Sequence, residues 1–235
     1  MEGDFIIANK YKVNEVIYDG KLSKVCLGKH INKNENVIIK FEDNRETNLL
    51  EHEAGIYLHL MRNTPKLNIP KFKTFGVLEN YNYIVIEKMD YSLHNVIKKK
   101  KITLQDTLNI GVQLLSLLKK FHSQKLVHRD IKPENIVFDK KHIIYLIDFG
   151  LSTTYNKNQP VRESFDSKSS DEYRKYVSSK GTNKFVGNVN FSSISAHDGY
   201  SYQPKDDLLS VSYMLLYIYY GNLPWTIFKI DNNKI

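Results

Sequence analysis

The stretch that decides the fold is an octet of residues followed by a tripeptide. Residues 128–135 read His-Arg-Asp-Ile-Lys-Pro-Glu-Asn, and residues 148–150 read Asp-Phe-Gly at the end of an apolar segment. Any one of these residues alone would be an ordinary turn or cap residue. The full octet, followed at 13 residues by Asp-Phe-Gly, is too specific a combination to attribute to chance.

These residue types match the needs of phosphoryl transfer from ATP, which requires a group that orients the attacking hydroxyl and oxygen ligands for magnesium. Asp130 suits the first role, as base or orienting group. Asn135 and Asp148 suit the second, because Mg²⁺ takes one or two protein oxygens and completes its shell with phosphates and water. Lys132 can reach the transferred phosphate as a point charge. The pattern therefore predicts Asp130, Lys132 and Asn135 as catalytic residues, and Asn135 and Asp148 as metal ligands.

The composition is that of a chain with a sizeable core. Its 235 residues are 41% hydrophobic and 26% charged, which suits one large domain or two lobes that share a cleft. The apolar stretches are too short to span a bilayer, and residues 1–10 lack the pattern of a signal peptide. We therefore expect an intracellular protein, cytoplasmic or nuclear, that does not contact membranes. The single cysteine, Cys26, excludes an internal disulfide framework, and no Cys/His cluster in the sequence offers a structural zinc site. Any metal should therefore be held by oxygen ligands.

The net charge of +8 comes from 29 lysines and only five arginines. Arginine supplies the planar fork that recognises phosphate, so this balance does not predict specific binding of nucleic acid. Lysine-rich usage is best explained by AT-rich coding. A basic surface that attracts an acidic protein substrate stays open as the functional alternative.

The first 90 residues are predicted to form mostly short strands, at residues 11–17, 22–28, 36–41 and 81–87. One helix is predicted at residues 46–62. Glu53 falls on the apolar stripe of that helix, and an unpaired carboxylate there would cost several kcal/mol. We therefore expect Glu53 either to be protonated or to meet a cation.

After about residue 90 the pattern becomes helical. A buried helix is predicted from Thr103, which opens a capping box, to His122, and a second apolar helix at residues 207–220 should end at Gly221. Short apolar strands are expected at residues 136–138 and 143–147. The polar, Ser/Lys-rich stretch at residues 152–184 is either functional or disordered.

With these motifs in place, the chain resembles a eukaryotic-type protein kinase. Within that superfamily, residues 81–87, 191–197, 206–208 and 221–225 resemble the casein kinase 1 group, which includes the vaccinia-related kinases. Residues 193–195 read Ser-Ile-Ser where most kinases have Ala-Pro-Glu. The resemblance covers roughly residues 11 to 225.

The resemblance implies an α+β, bilobal protein-kinase-like fold. A small, mostly antiparallel β N-lobe with one main helix is expected at residues 1–89. A larger, mainly helical C-lobe is expected at residues 90–235, truncated after its central helix. Because further helices normally cover the helix at 207–220, either the sequence is a truncated kinase or its cover comes from dimerisation or from a protein partner.

The resemblance also assigns the nucleotide site, with ATP and Mg²⁺ as cofactors. Lys40 would grip the α/β-phosphates with Glu53 as its helix partner, so the family supplies the cation that periodicity requires for Glu53. Asp207 would brace the catalytic loop, and Ile86 would stand at the gatekeeper position. The residues implied to bind the nucleotide are Ile17, Gly20, Val25, Lys40, Glu53, Glu87 and Met89.

The glycine-rich loop departs from the family pattern. Of its three glycines only Gly20 is kept, with Tyr18 and Ser23 in the other two positions, and Ile38 replaces the usual alanine of the adenine slot. These changes predict weakened ATP binding.

Three functions stay open from the sequence. The first is a serine/threonine protein kinase that uses Mg-ATP on a protein substrate. The second is a pseudokinase, or a weakly ATP-binding regulatory module that acts through a protein partner. The third, a phosphotransferase for a small molecule, is disfavoured by the kinase-like segment at residues 191–197.

Overall fold

A computed structural model describes residues 5–20, 23–155 and 185–226 of the chain. It divides into two compact units, Met1–Tyr91 with Val137–Gly150, and Ser92–Ile136 with Leu151–Ile235. The predicted domain boundary after residue 89 stays a prediction, because this division assigns the later segment 137–150 to the first unit. Most of the Ser/Lys-rich stretch, from residue 156 to 184, lies outside the described residues.

The first unit is built on a six-stranded sheet in which every neighbouring pair is antiparallel. The order is β1-β2-β3-β4-β6-β5. The strands are β1 (Phe5–Ile7), β2 (Tyr11–Asp19), β3 (Ser23–His30), β4 (Asn36–Asp43), β5 (Phe72–Leu78) and β6 (Tyr81–Glu87). The four strands predicted from sequence are all present. The pattern missed β1, which is only three residues long, and β5, whose residues are half-buried or exposed without alternation.

Strand β4 separates two kinds of side chain on its two faces, because successive side chains of a strand point in opposite directions. Val37, Ile39 and Phe41 are buried in an apolar cluster of the sheet. Lys40 and Glu42 alternate with them and lie on the other face. The side chains of Lys40 and Glu42 are thus presented together, on one side of the sheet.

Helix α1 (Leu49–Asn63) is the one helix described in the first unit, and it contacts β4, β5 and β6. It begins three residues later than the predicted start at residue 46. The apolar stripe that predicted it is buried at Ile56 and Leu60, while Leu49 is exposed. Glu53 is buried on the same helix, as the periodicity predicts.

The second unit is mainly helical. Its described helices are α2 (Leu93–Lys99), α3 (Leu104–Ser123), α4 (Ile194–His197) and α5 (Pro204–Tyr220). Helices α3 and α5 pack against each other, and a Cβ atom added to Gly111 would lie 3.0 Å from Leu215 Cδ1. Helix α5 ends at Gly221 with a φ of 87°, as predicted, because glycine adopts this left-handed conformation without strain.

Short strands complete the two units. They are β7 (Tyr91–Ser92), β8 (Leu126–Val127), β9 (Ile136–Phe138), β10 (Ile144–Leu146) and β11 (Thr153–Thr154). Strands β10, β9 and β7 form a sheet in that order, and β8 pairs with β11 in antiparallel fashion. The two predicted strands of this region are confirmed. With the sheet-rich first unit and the helical second unit, the α+β class is confirmed as well.

Apolar side chains are exposed along both long helices of the second unit. On α3, Leu104, Leu108, Val112 and Leu115 follow one another at helical spacing and are 49% to 66% exposed. On α5 the exposed set is Leu208, Leu209, Leu216 and Tyr220. Within the described part of the chain, none of the helices has the length and apolar character needed to cross a membrane.

The N-terminus of α3 carries the capping box predicted from sequence. Thr103 Oγ1 accepts a hydrogen bond from the backbone N–H of Asp106 at 3.1 Å, and Asp106 Oδ2 accepts one from the backbone N–H of Thr103 at 3.4 Å. The Thr103 hydroxyl also donates to Asp106 Oδ2 at 2.9 Å, and this bond, together with the one from the Thr103 backbone N–H, lowers the pKa of the Asp106 carboxyl. The two bonds donated by backbone groups satisfy N–H groups that the first turn of a helix otherwise leaves without partners.

We expect Thr103→Ala to lower the free energy of unfolding by about 1 kcal/mol, because the side-chain cap is lost. Ser116→Ala, at an exposed position in the middle of α3, is the matched control and should leave stability unchanged or slightly raised. Chemical denaturation of the three proteins measures both effects. Equal stability of Thr103→Ala and wild type would contradict the cap.

Candidate functional site

The first polar cluster lies within the first unit and is centred on Lys40. Lys40 Nζ donates hydrogen bonds to Glu53 Oε1 at 2.9 Å, to Glu53 Oε2 at 3.1 Å and to Asp148 Oδ1 at 3.1 Å. The side chains of Lys40 and Glu53 are only 12% and 2% exposed, whereas that of Asp148 is 42% exposed. The predicted pairing of Glu53 with a cation is confirmed, and the cation is Lys40.

Three separate elements bring these side chains together. Lys40 comes from β4 and Glu53 from the second turn of α1, while Asp148 follows β10. Asp148 has a φ of 71°, a left-handed conformation that is uncommon for residues other than glycine. Such a conformation persists only where surrounding contacts maintain it, and here the carboxylate is bonded to Lys40.

The pKa values of the cluster reflect burial and opposite charge together. Burial by itself lowers the pKa of Lys40, but the carboxylates of Asp148 and Glu53 outweigh it, so the net pKa lies above the ordinary lysine value. Burial raises the pKa of Glu53, while Lys40 and a backbone hydrogen bond from Phe149 act in the opposite direction. Because Lys40 contacts two carboxylates within 3.1 Å, the ammonium form is the state favoured here.

Phe149 anchors the residues that follow Asp148 in the core of the first unit. Its ring is fully buried and meets Tyr57 of α1 edge-on, with 4.9 Å between ring centroids. Tyr57 in turn stacks on Phe72 at 5.6 Å. Burial raises the pKa of Tyr57 well above its ordinary value, and its hydroxyl has no hydrogen-bond partner within the described structure.

The remaining residues predicted to bind a nucleotide also belong to the first unit. Val25 of β3 is the cross-strand partner of Lys40, and Ile38 of β4 is the partner of the buried Ile86. Ile17 lies in β2 and is 53% exposed. Their contacts with a nucleotide stay predictions.

The segment predicted as an adenine hinge begins at the end of β6. The backbone N–H of Glu87 donates to the carbonyl oxygen of Lys71 at 2.9 Å, and Glu87 Oε2 accepts from the backbone N–H of Lys71 at 3.2 Å. The carbonyl oxygen of Met89 accepts a hydrogen bond from Lys88 Nζ at 3.1 Å. Glu87 is therefore held to the residue that precedes β5, and Met89 follows it without strand pairing.

The one retained glycine of the degenerate loop, Gly20, is bonded to the first residue of β3. The backbone N–H of Gly20 donates to the carbonyl oxygen of Ser23 at 2.9 Å. A Cβ atom at position 20 would lie 2.5 Å from the hydroxyl oxygen of Tyr18, so a side chain there requires the tyrosine ring to move. Tyr18, which stands where the family has its first glycine, thus lies against Gly20.

The second polar cluster lies within the second unit and is centred on Asp130. Lys132 Nζ donates to Asp130 Oδ2 at 2.5 Å, and Asn135 Nδ2 donates to Asp130 Oδ2 at 2.9 Å and to its carbonyl oxygen at 2.8 Å. Asp130 and Asn135 are both buried. A 3₁₀ turn at Pro133–Asn135 folds the chain back, so that Asn135 reaches Asp130. The structure thus brings the three predicted catalytic residues together.

Asn135 and Asp148 offer the kind of atoms that magnesium prefers. Both hydrogen bonds of the Asn135 side chain to Asp130 are donated by its NH₂ group, which leaves the amide oxygen as the group suited to a cation. Asp148 supplies a partly exposed carboxylate. No group of three or more His, Cys, Asp or Glu side chains suited to a metal occurs in the described ranges. Mg²⁺ needs no such group, because it binds one or two protein oxygens together with phosphates and water.

Asp207 braces the backbone of the octet from the first turn of α5. Its fully buried carboxylate accepts hydrogen bonds from the backbone N–H groups of His128 at 2.8 Å and Arg129 at 3.0 Å. Arg129 has a φ of 73°, so these bonds stabilise an otherwise unfavourable conformation. His122 Nε2 lies 2.8 Å from Asp207 Oδ2. The brace predicted at Asp207 is present, and His122 was missed, although a polar ring on a buried helix signals a need for a partner.

Residues 191–197 and 206–208 contact each other within the second unit. Ser193 Oγ donates to Asp206 Oδ1 at 2.6 Å and accepts from the backbone N–H of Ala196 at 3.1 Å, so it caps α4 and holds it to α5. The indole N–H of Trp225 donates to the carbonyl oxygen of Asn190 at 2.9 Å. The Arg129 guanidinium lies 5.4 Å from the ring centroid of Tyr202, and burial lowers its pKa.

A comparison with known protein families points to the same class of protein as the residues of these two clusters. A family model described as the protein kinase domain matches residues 11–234, nearly the full length of the chain. The chain belongs to the protein kinase family. The family is one of phosphotransferases that act on proteins.

We expect Lys40→Met to lower the free energy of unfolding by about 3 kcal/mol at neutral pH, because Glu53 is left as a buried charge without its cation. Burial then raises the folded-state pKa of Glu53 further above its unfolded value. A group with a raised folded-state pKa loses stability as the pH rises, so the loss should be largest above pH 7 and fade toward pH 4.3, roughly the unfolded value. Urea denaturation at several pH values measures this.

Lys73→Met is the matched control, because Lys73 Nζ lies 3.2 Å from the exposed Glu35 on the same unit. It should change stability far less than Lys40→Met and without the same pH dependence. Equal effects of the two substitutions at all pH values would contradict a buried, charged Glu53.

Proposed function

We propose that this protein kinase is a serine/threonine kinase of the casein kinase 1 group that uses Mg-ATP. The observation that carries the proposal is the Asp130 carboxylate, which is buried and bonded to both Lys132 and Asn135. A base or orienting group must be held in one place to direct the attacking hydroxyl, and these two bonds do so. Lys132 is the residue that favours serine and threonine over tyrosine, by analogy with the family.

In the proposed reaction the substrate hydroxyl oxygen attacks the γ-phosphorus of ATP. The bond between that phosphorus and the oxygen bridging to the β-phosphate breaks, and ADP leaves with the electron pair. Asp130 accepts the hydroxyl proton, and Lys132 offsets charge on the transferred group as a point charge. Magnesium, held by Asn135 and Asp148, would supply charge neutralisation at the phosphates.

Lys40 serves in this proposal as the cation for the α/β-phosphates. In the described structure its ammonium group is bonded to both Glu53 and Asp148. A fixed ammonium group with a raised pKa stays charged at physiological pH, as binding of a polyanion requires. The backbone of Glu87 and Met89 is proposed to bind adenine, with Ile17, Gly20 and Val25 above it.

The group assignment draws on residues 81–87 of the first unit and on residues 191–197, 206–208 and 221–225 of the second. The Ser-Ile-Ser triplet begins at Ser193, which is bonded to Asp206, and this contact gives the departure from Ala-Pro-Glu a structural role. We propose a protein substrate in the cytoplasm or nucleus. The net charge of +8 favours an acidic one.

A regulatory module that acts through a protein partner is the second candidate. Two observations favour it: Tyr18 lies against Gly20 in the degenerate loop, and the apolar faces of α3 and α5 are exposed. Thermal unfolding with and without Mg-ATP separates the two candidates. A ligand at 100 times its dissociation constant stabilises by about 2.7 kcal/mol, so no shift at millimolar nucleotide would favour the regulatory module.

We expect Asp130→Asn to reduce phosphate transfer to casein by about 10³-fold, because the amide cannot accept the hydroxyl proton. Nucleotide binding should remain, since Lys40 and Asp148 are unchanged. Asp139→Asn is the control: Asp139 Oδ1 accepts backbone hydrogen bonds from Lys141 and Ile143, and the amide oxygen can still do so. Equal labelling of casein by wild type and Asp130→Asn would refute the assignment.

A further inference from the structure

Glu42 is a buried carboxylate that the proposed chemistry does not use. It is only 3% exposed, although it lies near the end of a strand. Glu42 Oε1 accepts a hydrogen bond from the backbone N–H of Leu49 at 3.0 Å, and Oε2 accepts one from that of Leu50 at 2.9 Å. The hydroxyl of Thr47 also donates to Glu42 Oε1. All of these donors belong to the start of α1 or to the residue that precedes its N-cap.

Helix α1 lacks a cap of its own. Its N-cap residue, Asn48, has φ −125° and ψ 30°, and its side chain makes no capping hydrogen bond. The first N–H groups of a helix have no partner within the helix, and they form its positive end. The carboxylate of Glu42, on the neighbouring strand β4, accepts hydrogen bonds from two of these N–H groups. It also places a negative charge at the positive end of the helix.

Glu42 stands two residues after Lys40 on β4, so the two side chains lie on the same face of the sheet. Lys40 bonds to Glu53, and Glu42 bonds to Leu49 and Leu50, about one helical turn earlier. One strand therefore holds one helix at two neighbouring points. These two polar contacts restrict the rotation of α1 more than one contact would, in addition to the packing of α1 on β5 and β6.

We propose that Glu42 is a positioning residue, which fixes the start of α1 so that Glu53 stays on Lys40. The inference deepens the proposed function and rests on it where catalysis is concerned. The placement of α1 itself can be tested without any activity. The rival explanation is that Glu42 serves only as a helix cap, whose loss lowers stability and leaves the geometry of folded molecules unchanged.

Two substitutions separate these explanations. Glu42→Ala removes both the cap and the tether to β4. Adding Asn48→Asp gives α1 a cap from its own N-cap position, with the charge restored but without the tether. If circular dichroism shows that Glu42→Ala is unfolded, Glu42→Gln replaces it, because glutamine retains the side-chain volume and one acceptor oxygen.

The first readout is the rate at which acetic anhydride modifies Lys40 in the folded protein, followed by peptide mass spectrometry. Movement of Glu53 away from Lys40 should uncover the amine, so we expect Lys40 to react severalfold faster in Glu42→Ala than in wild type. The exposed Lys71 is the internal reference and should react at the same rate in every variant.

The double variant Glu42→Ala/Asn48→Asp decides the outcome. We expect it to recover the melting temperature of wild type while Lys40 still reacts fast. In kinase assays it should keep a raised KM for ATP. If Lys40 is protected in the folded Glu42→Ala protein, or if Asn48→Asp restores protection together with stability, Glu42 is only a cap and the proposal fails.

If the proposed kinase function is wrong, the experiments give a different result from the one expected if Glu42 is only a cap. A wild-type protein that transfers no phosphate and binds no nucleotide overturns the kinase proposal, because no substitution is involved in that result. The acetylation rates of Lys40 still report on α1 in that case. A rate increase in Glu42→Ala that persists in the double variant then confirms the positioning of α1 by Glu42.

Discussion

The buried ion pair between Lys40 and Glu53 is the interaction on which the polar side of the first unit depends. Glu53 is 2% exposed, and a carboxylate so deeply buried is tolerated only with a partner cation. Lys40 fills that need because strand alternation places it on the face of β4 opposite Val37, Ile39 and Phe41. The apolar core of the sheet and the position of the ammonium group are thus set by the same two-residue period.

In the second unit, a buried carboxylate, that of Asp207, holds the backbone of the octet in place. Asp207 accepts two backbone N–H groups of the octet and lies next to His122, so it fixes Arg129 in a left-handed conformation. Glu42 likewise accepts hydrogen bonds from two backbone N–H groups, those of Leu49 and Leu50 at the start of α1. In each case the acceptor comes from a different element than the donors, and its position determines the geometry of residues that carry the proposed chemistry.

Most of the architecture could be predicted from the sequence because its signals are local. Runs of β-branched and aromatic residues predicted β4 and β6, and the capping box at Thr103 marked the start of α3. The pairing of Glu53 was predictable because a carboxylate on an apolar stripe requires a cation. Strand β5 was missed because it is half-buried without alternation, and α2 because seven residues hold too little periodicity.

The contacts that fix the site were harder to predict, since they depend on residues far apart in the chain. Nothing in the local sequence of Glu42 shows that it caps a helix seven residues later, because the cap acts through a strand. His122 and Asp207 are 85 residues apart. Only the fold shows that these polar groups meet, whereas the octet itself could be recognised from residue types and spacing alone.

Measuring the affinity of Mg-ATP by isothermal titration calorimetry tests the central claim most directly, namely that the Lys40 ammonium is fixed for a nucleotide. Wild type, Lys40→Met and the control Lys73→Met should be compared at a temperature and pH at which all three are folded. A charged hydrogen bond contributes about 1.5–3 kcal/mol, so Lys40→Met should bind at least tenfold more weakly, and Lys73→Met should bind like wild type. Equal affinities of wild type and Lys40→Met would contradict it.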